Sequence, residues 1–287
     1  MPYSVALSFS YFYDNINLPG NHRDTANRRR DDIVSSLKKK FDVMESFSSG
    51  SIPRYTALKG HADLDIIVAL HYSNHIKDKK PSEVLQDVRD VLAEFKTNVR
   101  KNGQAVTLHY KTWPNVDIVP CCRVIDDNGK VISYSIPDMN TENWITSKPK
   151  LHTSKMTLKS SECGQNFRRV ITMIKYWNRK HGKYLQSYHI EVLAINIYTG
   201  AMGDTAWDIY TFFNKALELV SNNLWYEGAY VDSYLTWNSR QEALKRLETA
   251  KDKSLTAWSK TYDDSNDDEA AITIWRQIFG DKFPAYG

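Results

Sequence analysis

Phe47-Ser48-Ser49-Gly50-Ser51, followed by Ala62-Asp63-Leu64-Asp65-Ile66-Ile67-Val68-Ala69-Leu70, is the stretch on which the reading of this chain turns. The second segment is apolar and β-branched apart from its two acids, so it reads as a buried strand over Asp63 to His71. Strand side chains alternate, which predicts Asp63 and Asp65 on one face and Leu64 on the other, toward a core. The Gly50-Ser51 turn is small enough to bring backbone N–H groups and a hydroxyl close to phosphates. Two hard oxygen ligands beside a phosphate cradle are what a Mg²⁺-dependent nucleotide site needs.

A second short apolar run, Asn115-Val116-Asp117-Ile118-Val119-Pro120, carries one acid. A carboxylate inside a Val/Ile strand is costly to bury unless it is paired or holds a metal. If the two strands are neighbours, Asp117 joins Asp63 and Asp65 on one face, and three carboxylates can hold two Mg²⁺ ions. Alone, a Gly-Ser pair is an ordinary turn and an Asp-x-Asp an ordinary strand edge. In this order and in apolar strands, the set points to nucleotidyl transfer.

Working outward, residues 22–40 read as an amphipathic helix and Asp42 to Phe47 as a strand. Pro81-Ser82-Glu83 opens a helix with Val84, Leu85, Val88, Val91, Leu92 and Phe95 on its apolar side. Gln104 to Tyr110 and Val116 to Val124 read as strands, and Asp126-Asp127-Asn128-Gly129 turns Arg123 to Tyr134 into a hairpin. From about residue 138 the pattern is helical almost throughout. Phe167, Val170, Ile171, Ile174 and Trp177 form an apolar stripe, and Arg168, Thr172, Lys175 and Arg179 a polar one. Further helices are expected over about 187–200, 205–221, 239–259 and 267–279. The fold class is therefore α/β (α+β): a lobe with a mixed sheet over 1–150 that carries the acids, then an α-helical lobe over 151–287 that completes a nucleotide cleft.

With 287 residues, 41% of them hydrophobic and 25% charged, the chain can bury a large core in two lobes. No apolar run approaches the roughly 20 residues that span a bilayer, and Met1 to Leu7 does not read as a signal peptide. The three cysteines, Cys121, Cys122 and Cys163, have neither disulfide-framework nor zinc-ligand spacing, which suits a reducing cytoplasm. The net charge of +4 is compatible with polyphosphate substrates and demands no nucleic acid. Arg28-Arg29-Arg30 and Lys38-Lys39-Lys40 read as the solvated basic face of a surface helix in preference to a nucleic-acid patch. The acidic run 263–269 fails the EF-hand pattern, having Glu269 where glycine is required, and reads as a solvated loop that caps the last helix.

The Gly-Ser and acid motifs resemble the polymerase-β-like nucleotidyltransferase superfamily. Ile174-Lys175-Tyr176-Trp177-Asn178, Ser187-Tyr188-His189-Ile190-Glu191 and Trp275-Arg276-Gln277-Ile278-Phe279-Gly280, with Phe283-Pro284, are similar to the second lobe of the bacterial cGAS/DncV-like nucleotidyltransferases (CD-NTases), the signal synthases of CBASS anti-phage systems. The resemblance implies an enzyme that joins NTPs into a cyclic di- or trinucleotide and releases pyrophosphate. It assigns Gly50 and Ser51 to the β- and γ-phosphates, Asp63 and Asp65 to two Mg²⁺ ions (Mn²⁺ as a substitute), and Asp117 to the metal at the attacking hydroxyl. Lys175 is to neutralise triphosphate charge, Ser187 to hydrogen-bond it and Tyr188 to stack on the donor base. Read without the family, Lys175 is equally an exposed helix lysine, Ser187 an N-cap and Tyr188 core packing. The zinc-binding thumb of the animal DNA sensor has no counterpart, so no DNA activation is expected.

The expected partners are NTP substrates and CBASS accessory proteins, among them a conjugation system acting at Gly287, for which a chance C-terminal glycine is the plainer reading. The chain is expected to be a cytoplasmic monomer without a membrane partner. The rival readings are a nucleotidyltransferase acting on tRNA, RNA or protein (CCA-adding, poly(A)-type or toxin-like), supported by the basic helix, and a non-catalytic nucleotide-binding scaffold.

Overall fold

The computed structural model describes residues 3–96, 98–262 and 266–287. Its elements, in chain order, are α1 (Val5–Ile16), α2 (Gly20–Leu37), β1 (Val43–Ser49), β2 (Leu64–Leu70), α3 (Tyr72–His75), α4 (Pro81–Ala93), β3 (Val99–Asn102), β4 (Ala105–Leu108), β5 (Val116–Ile125), β6 (Val131–Asp138) and β7 (Asn143–Ser147). There follow α5 (Pro149–Cys163), α6 (Asn166–Lys180), α7 (Ser187–Ile197), α8 (Thr205–Ser221), β8 (Trp225–Tyr226), β9 (Ala229–Tyr230), α9 (Trp237–Tyr262) and α10 (Asp268–Phe279). They form two compact units, Leu18–Ser154 and Met1–Asn17 with Lys155–Gly287.

The first unit is built on a seven-stranded mixed sheet in the order β1-β2-β5-β4-β3, with β6 on the far part of β5 and β7 on β6. β2 and β5 run parallel and the other pairs antiparallel. Strand alternation divides the residues of β2 and β5 cleanly. Leu64, Ile66, Val68, Val116 and Ile118 point into a core closed by Ile33, Val34 and Leu37 of α2 and by Val84, Leu85, Val88 and Leu92 of α4. Ile67, Ala69 and Cys121 face the other way, in a smaller cluster with Tyr134. Asp65 and Asp117 are on this second face. α4 starts where Pro81 accepts the first-turn position and the Lys80 N–H donates to Glu83 Oε2 at 2.7 Å.

The helical unit is closed by aromatic packing between its first and last helices. Val5, Phe9, Phe12 and Ile16 make one buried stripe on α1. Phe9 meets Trp275 at 4.9 Å and Phe283 at 5.0 Å, and Phe12 meets Phe279 at 4.7 Å between ring centroids. This contact gathers residues 1–17 with the helical unit, although the expected boundary at 150 groups them with the sheet. The apolar stripe of α6 is buried as expected.

Several expectations are corrected. The region after residue 138 is not helical from its start: β7 continues the sheet, because Asn143–Ser147 pairs with β6. β8 and β9 form a further hairpin. β3 and β4 make an antiparallel pair around Gly103, whose φ is +57°, where one strand was expected. Phe95 lies beyond α4 and is exposed. Thr172 and Lys175 are buried, so the polar stripe of α6 is not a solvent face. In the basic cluster, Arg28 and Lys38 to Lys40 are exposed. Arg29 instead turns inward: its Nη1 donates to Thr112 O at 2.9 Å and its guanidinium lies 4.0 Å over the Tyr110 ring. The expected capping of the last helix by acids is seen at Asp267, whose side chain accepts the Ala270 N–H; residues 263–265 of that run lie outside the described residues. All three cysteines are free and buried, and among the described residues no helix is long and apolar enough to cross a membrane.

Candidate active site

Register assembles the acids. Asp65 on β2 is paired with Asp117 on β5, with Ser49 on β1 to one side; Asp117 is paired with Thr107 on β4 to the other. Ser49, Asp65, Asp117 and Thr107 thus form a polar row across four strands, on the face opposite the large core. Thr107 Oγ1 donates to Asp117 Oδ1 at 2.5 Å. That bond fixes one carboxylate oxygen and leaves the other open to a ligand.

Gly50 follows Ser49 and closes on the row. Its φ is +72°, and a Cβ there would lie 1.7 Å from Asp65 Oδ2. Only glycine lets the backbone turn in this conformation against the carboxylate. Ser51 begins the tight turn, and its carbonyl accepts the Thr56 N–H at 3.1 Å. Asp63 precedes β2, so ladder pairing does not hold it; it is exposed and lines a cavity of about 320 Å³ with His61, Lys111, Trp113 and Asn115.

The electrostatics of the row are unbalanced. Burial, together with the Asp117 and Asp63 carboxylates, pushes the Asp65 carboxyl up to about 6, while Arg54 acts against the shift. Arg54, in the turn after Ser51, is buried and is a site residue that the sequence reading missed. A lone arginine in a polar turn carries no signal of burial.

The donor set suits a hard divalent cation. Mg²⁺ uses one or two carboxylates and completes its shell with substrate phosphates and water. Asp65 and Asp117 are such a pair, and their mutual repulsion is what a cation relieves. Among the described residues no three or more His, Cys, Asp and Glu side chains are gathered into a ready metal cage, so Asp63 is not preassembled with the other two.

The helical unit holds the other expected residues. Lys175 is 3% exposed, and its Nζ donates to Glu191 Oε1 at 2.6 Å, with Glu191 fully buried. It is neither the exposed helix lysine nor a charge turned to solvent. Ser187 is the first residue of α7 and Gln186 its N-cap, so the capping role expected of Ser187 is not observed. Tyr188 is 40% exposed and not core; its ring meets Tyr226 edge-on at 6.3 Å. The turn before α7 is clamped by Asn178, whose Nδ2 donates to Leu185 O at 2.7 Å and whose Oδ1 accepts the Leu185 N–H at 3.1 Å. Ser187 and Tyr188 therefore stand side by side at a braced, open helix start.

A family model described as the Second Messenger Oligonucleotide or Dinucleotide Synthetase domain (SMODS) matches residues 3–159. The chain belongs to the SMODS family. These are cyclic nucleotide synthases of the CD-NTase type, and their activity is nucleotidyl transfer. The chain is 23% identical to a cyclic AMP-AMP-AMP synthase of Acinetobacter sp. (strain ATCC 27244 / 9458), over 84% of this chain and 73% of that one. It is 20% identical to a protein of Bacillus cereus (strain VD146) described as a probable cyclic nucleotide synthase, over 96% of both. Among solved structures, CdnC of E. coli MS115-1 superposes with a TM-score of 0.78 in its complex with HORMA-deltaN, at 18% identity, covering 97% of this chain and 98% of that one. The same protein with ATP gives 0.76 at 19% identity and equal coverage. The SMODS match includes the whole acid row and the Gly50-Ser51 turn, and the mixed-sheet lobe with its following helices is the CD-NTase fold.

Proposed function

We propose that this SMODS protein joins NTPs into a cyclic di- or trinucleotide with release of pyrophosphate, in a Mg²⁺-dependent reaction at Asp63, Asp65 and Asp117. The observation that carries the reading is the register pair Asp65–Asp117 with Gly50 closed against it. Asp63 and Asp65 would hold the cations, Asp117 would complete the site near the attacking ribose hydroxyl, and Gly50 and Ser51 would take the β- and γ-phosphates. Bound Mg²⁺ would make the ribose hydroxyl a better nucleophile and stabilise charge on the departing pyrophosphate. Asp117, oriented by Thr107, accepts the hydroxyl proton. Ser187 and Tyr188 receive the triphosphate and the base. Lys175, bonded to Glu191, ties α6 to α7, the helix that carries Ser187 and Tyr188.

The proposed setting is anti-phage signalling of the CBASS kind. Because CdnC is seen with HORMA-deltaN, a HORMA-type protein is the accessory partner to try first. The inward contacts of Arg29 take one cation out of the basic helix and weaken the case for a tRNA or RNA acceptor.

The test is incubation of the purified protein with all four NTPs and Mg²⁺, phosphatase treatment and mass spectrometry. Cyclic products that vanish with EDTA support the reading. Absence of product with and without the accessory partner, together with labelling of added tRNA, would overturn it in favour of a macromolecular acceptor.

A further inference from the structure

The connection between α8 and α9, residues 222–236, has no place in the reading so far. It is nevertheless tightly built. The buried Asp232 pairs with Arg240, its Oδ1 accepts the Leu224 N–H at 3.2 Å, and Arg240 also donates to Asn222 O at 3.1 Å. This stiffens the segment from within. It then reaches the start of α7 at two points. Tyr226 lies edge-on to Tyr188, with Lys155 Nζ 4.9 Å from the Tyr226 ring centre. Two turns of chain later, the Tyr234 hydroxyl accepts the Gln186 N–H at 2.8 Å and stands 2.9 Å from His189 Nδ1.

The second contact is buried on the His189 side. His189 is fully buried, and burial holds its imidazole down to about 4, so it is neutral in the folded protein. The phenol accepts from Gln186 and shares a hydrogen bond with Nδ1. Nε2 has no hydrogen-bond partner among the described residues. Tyr234 thus bonds both sides of the Ser187-Tyr188 pair, at Gln186 before it and His189 after it.

We propose that Tyr234 is a positioning residue for nucleotide binding: its hydroxyl, bonded to Gln186 and His189, sets the direction in which α7 presents Ser187 and Tyr188. The inference rests on the nucleotide-binding reading of those two residues. Asn178 holds the same turn from α6, so Tyr234 supplies the second of two braces. Losing it leaves the helix formed and its first turn free to rotate.

Tyr234→Phe removes the hydroxyl and keeps the ring. With ATP and Mg²⁺ as probe, KM is expected to rise roughly three- to ten-fold, the range of one lost hydrogen bond, with kcat within about two-fold. Amide exchange at Gln186 is expected to quicken, and the His189 Nδ1 ¹⁵N signal to shift as its hydrogen bond to the hydroxyl is lost. Arg240→Gln, which loosens the segment from its other end, is expected to raise KM in the same direction. Tyr188→Ala is run alongside. If it leaves KM unchanged, the nucleotide-binding reading of α7 falls, and this inference with it. If Tyr188→Ala raises KM while Tyr234→Phe lowers only the melting temperature, Tyr234 is a packing residue and the inference alone is overturned.

Discussion

Two charged arrangements, one in each unit, are built on opposite principles. In the sheet, Asp65 and Asp117 stand in register with a third acid nearby, and Arg54 opposes the shift of Asp65. In the helices, Lys175 and Glu191 are buried together and neutralise each other at 2.6 Å. The first sets like charges together, partly buried, against a glycine turn. The second is finished and closed. The difference teaches what each arrangement can do: like charges held together gain from a cation, while a complementary pair taken out of water needs none.

The comparison can be broken by mutation. Asp65→Asn combined with Asp117→Asn is expected to lower product formation by roughly 10³-fold or more, while the melting temperature holds or rises because repulsion is removed. A scan showing marked destabilisation would mean that the row is structural. In the helical unit the opposite is expected. Glu191→Ala strands a buried ammonium and should destabilise by about 3–5 kcal/mol, whereas the joint change to Lys175→Met and Glu191→Met should be close to neutral. Chemical denaturation of the two variants beside the parent measures this directly, and equal losses in both would refute it.

Gly50→Ala probes the closure of the turn on the row. The new Cβ would meet Asp65 Oδ2 in a backbone conformation that favours glycine, so a loss of about 1–2 kcal/mol is expected. A larger fractional loss of activity should accompany it as Asp65 is displaced. Thr107→Val is milder. It removes the bond to Asp117 and should raise the Mg²⁺ concentration needed for half-maximal activity, with Thr107→Ser restoring it.

Acidity sharpens the contrast most finely. The Asp65 carboxyl is raised from 3.8 to about 6, so the folded state holds its proton more tightly than the unfolded chain. In the cation-free protein its contribution to stability is largest below the unfolded value and is lost as pH rises toward 6. His189 is lowered from 6.5 to about 4, so its contribution is present above 6.5 and is lost as pH falls toward 4. Asp208, raised to about 6 in the same helical unit, runs against His189. Urea midpoints across this range should therefore show a falling limb reduced by Asp65→Asn, with the Asp208 part remaining, and an acid loss reduced by His189→Gln. Variants with unchanged pH profiles would contradict these assignments.

Much of the sheet was legible because its signals are local. The apolar run after Asp65 and the Asp126 to Gly129 turn specify β2 and the β5–β6 hairpin, whose observed pairing sets Arg123 against Tyr134. α8 begins and ends where its pattern does, since Asp204 caps it by accepting the Ala206 and Trp207 N–H groups. α1 was missed although its stripe at Val5, Phe9, Phe12 and Ile16 was present, and its destination could not be read at all. It packs on aromatics near the other end of the chain, a contact that no local period encodes. The burial of Lys175 was hidden for the same reason, because its partner is on the next helix.

The amino-acid sequence by itself determined that two acid-bearing strands, a Gly-Ser turn and a following set of helices exist, because alternation, apolar periodicity and turn chemistry act over a few residues. It also carried the family likeness that the SMODS match shows. Tertiary structure alone decided that Asp117 falls opposite Asp65, that Thr107 and Arg54 attend them, that Glu191 neutralises Lys175 and that Tyr234 grips the start of α7. Each of these is a meeting of residues far apart in the chain, and strand register and helix packing, which bring them together, are settled only when the whole core closes.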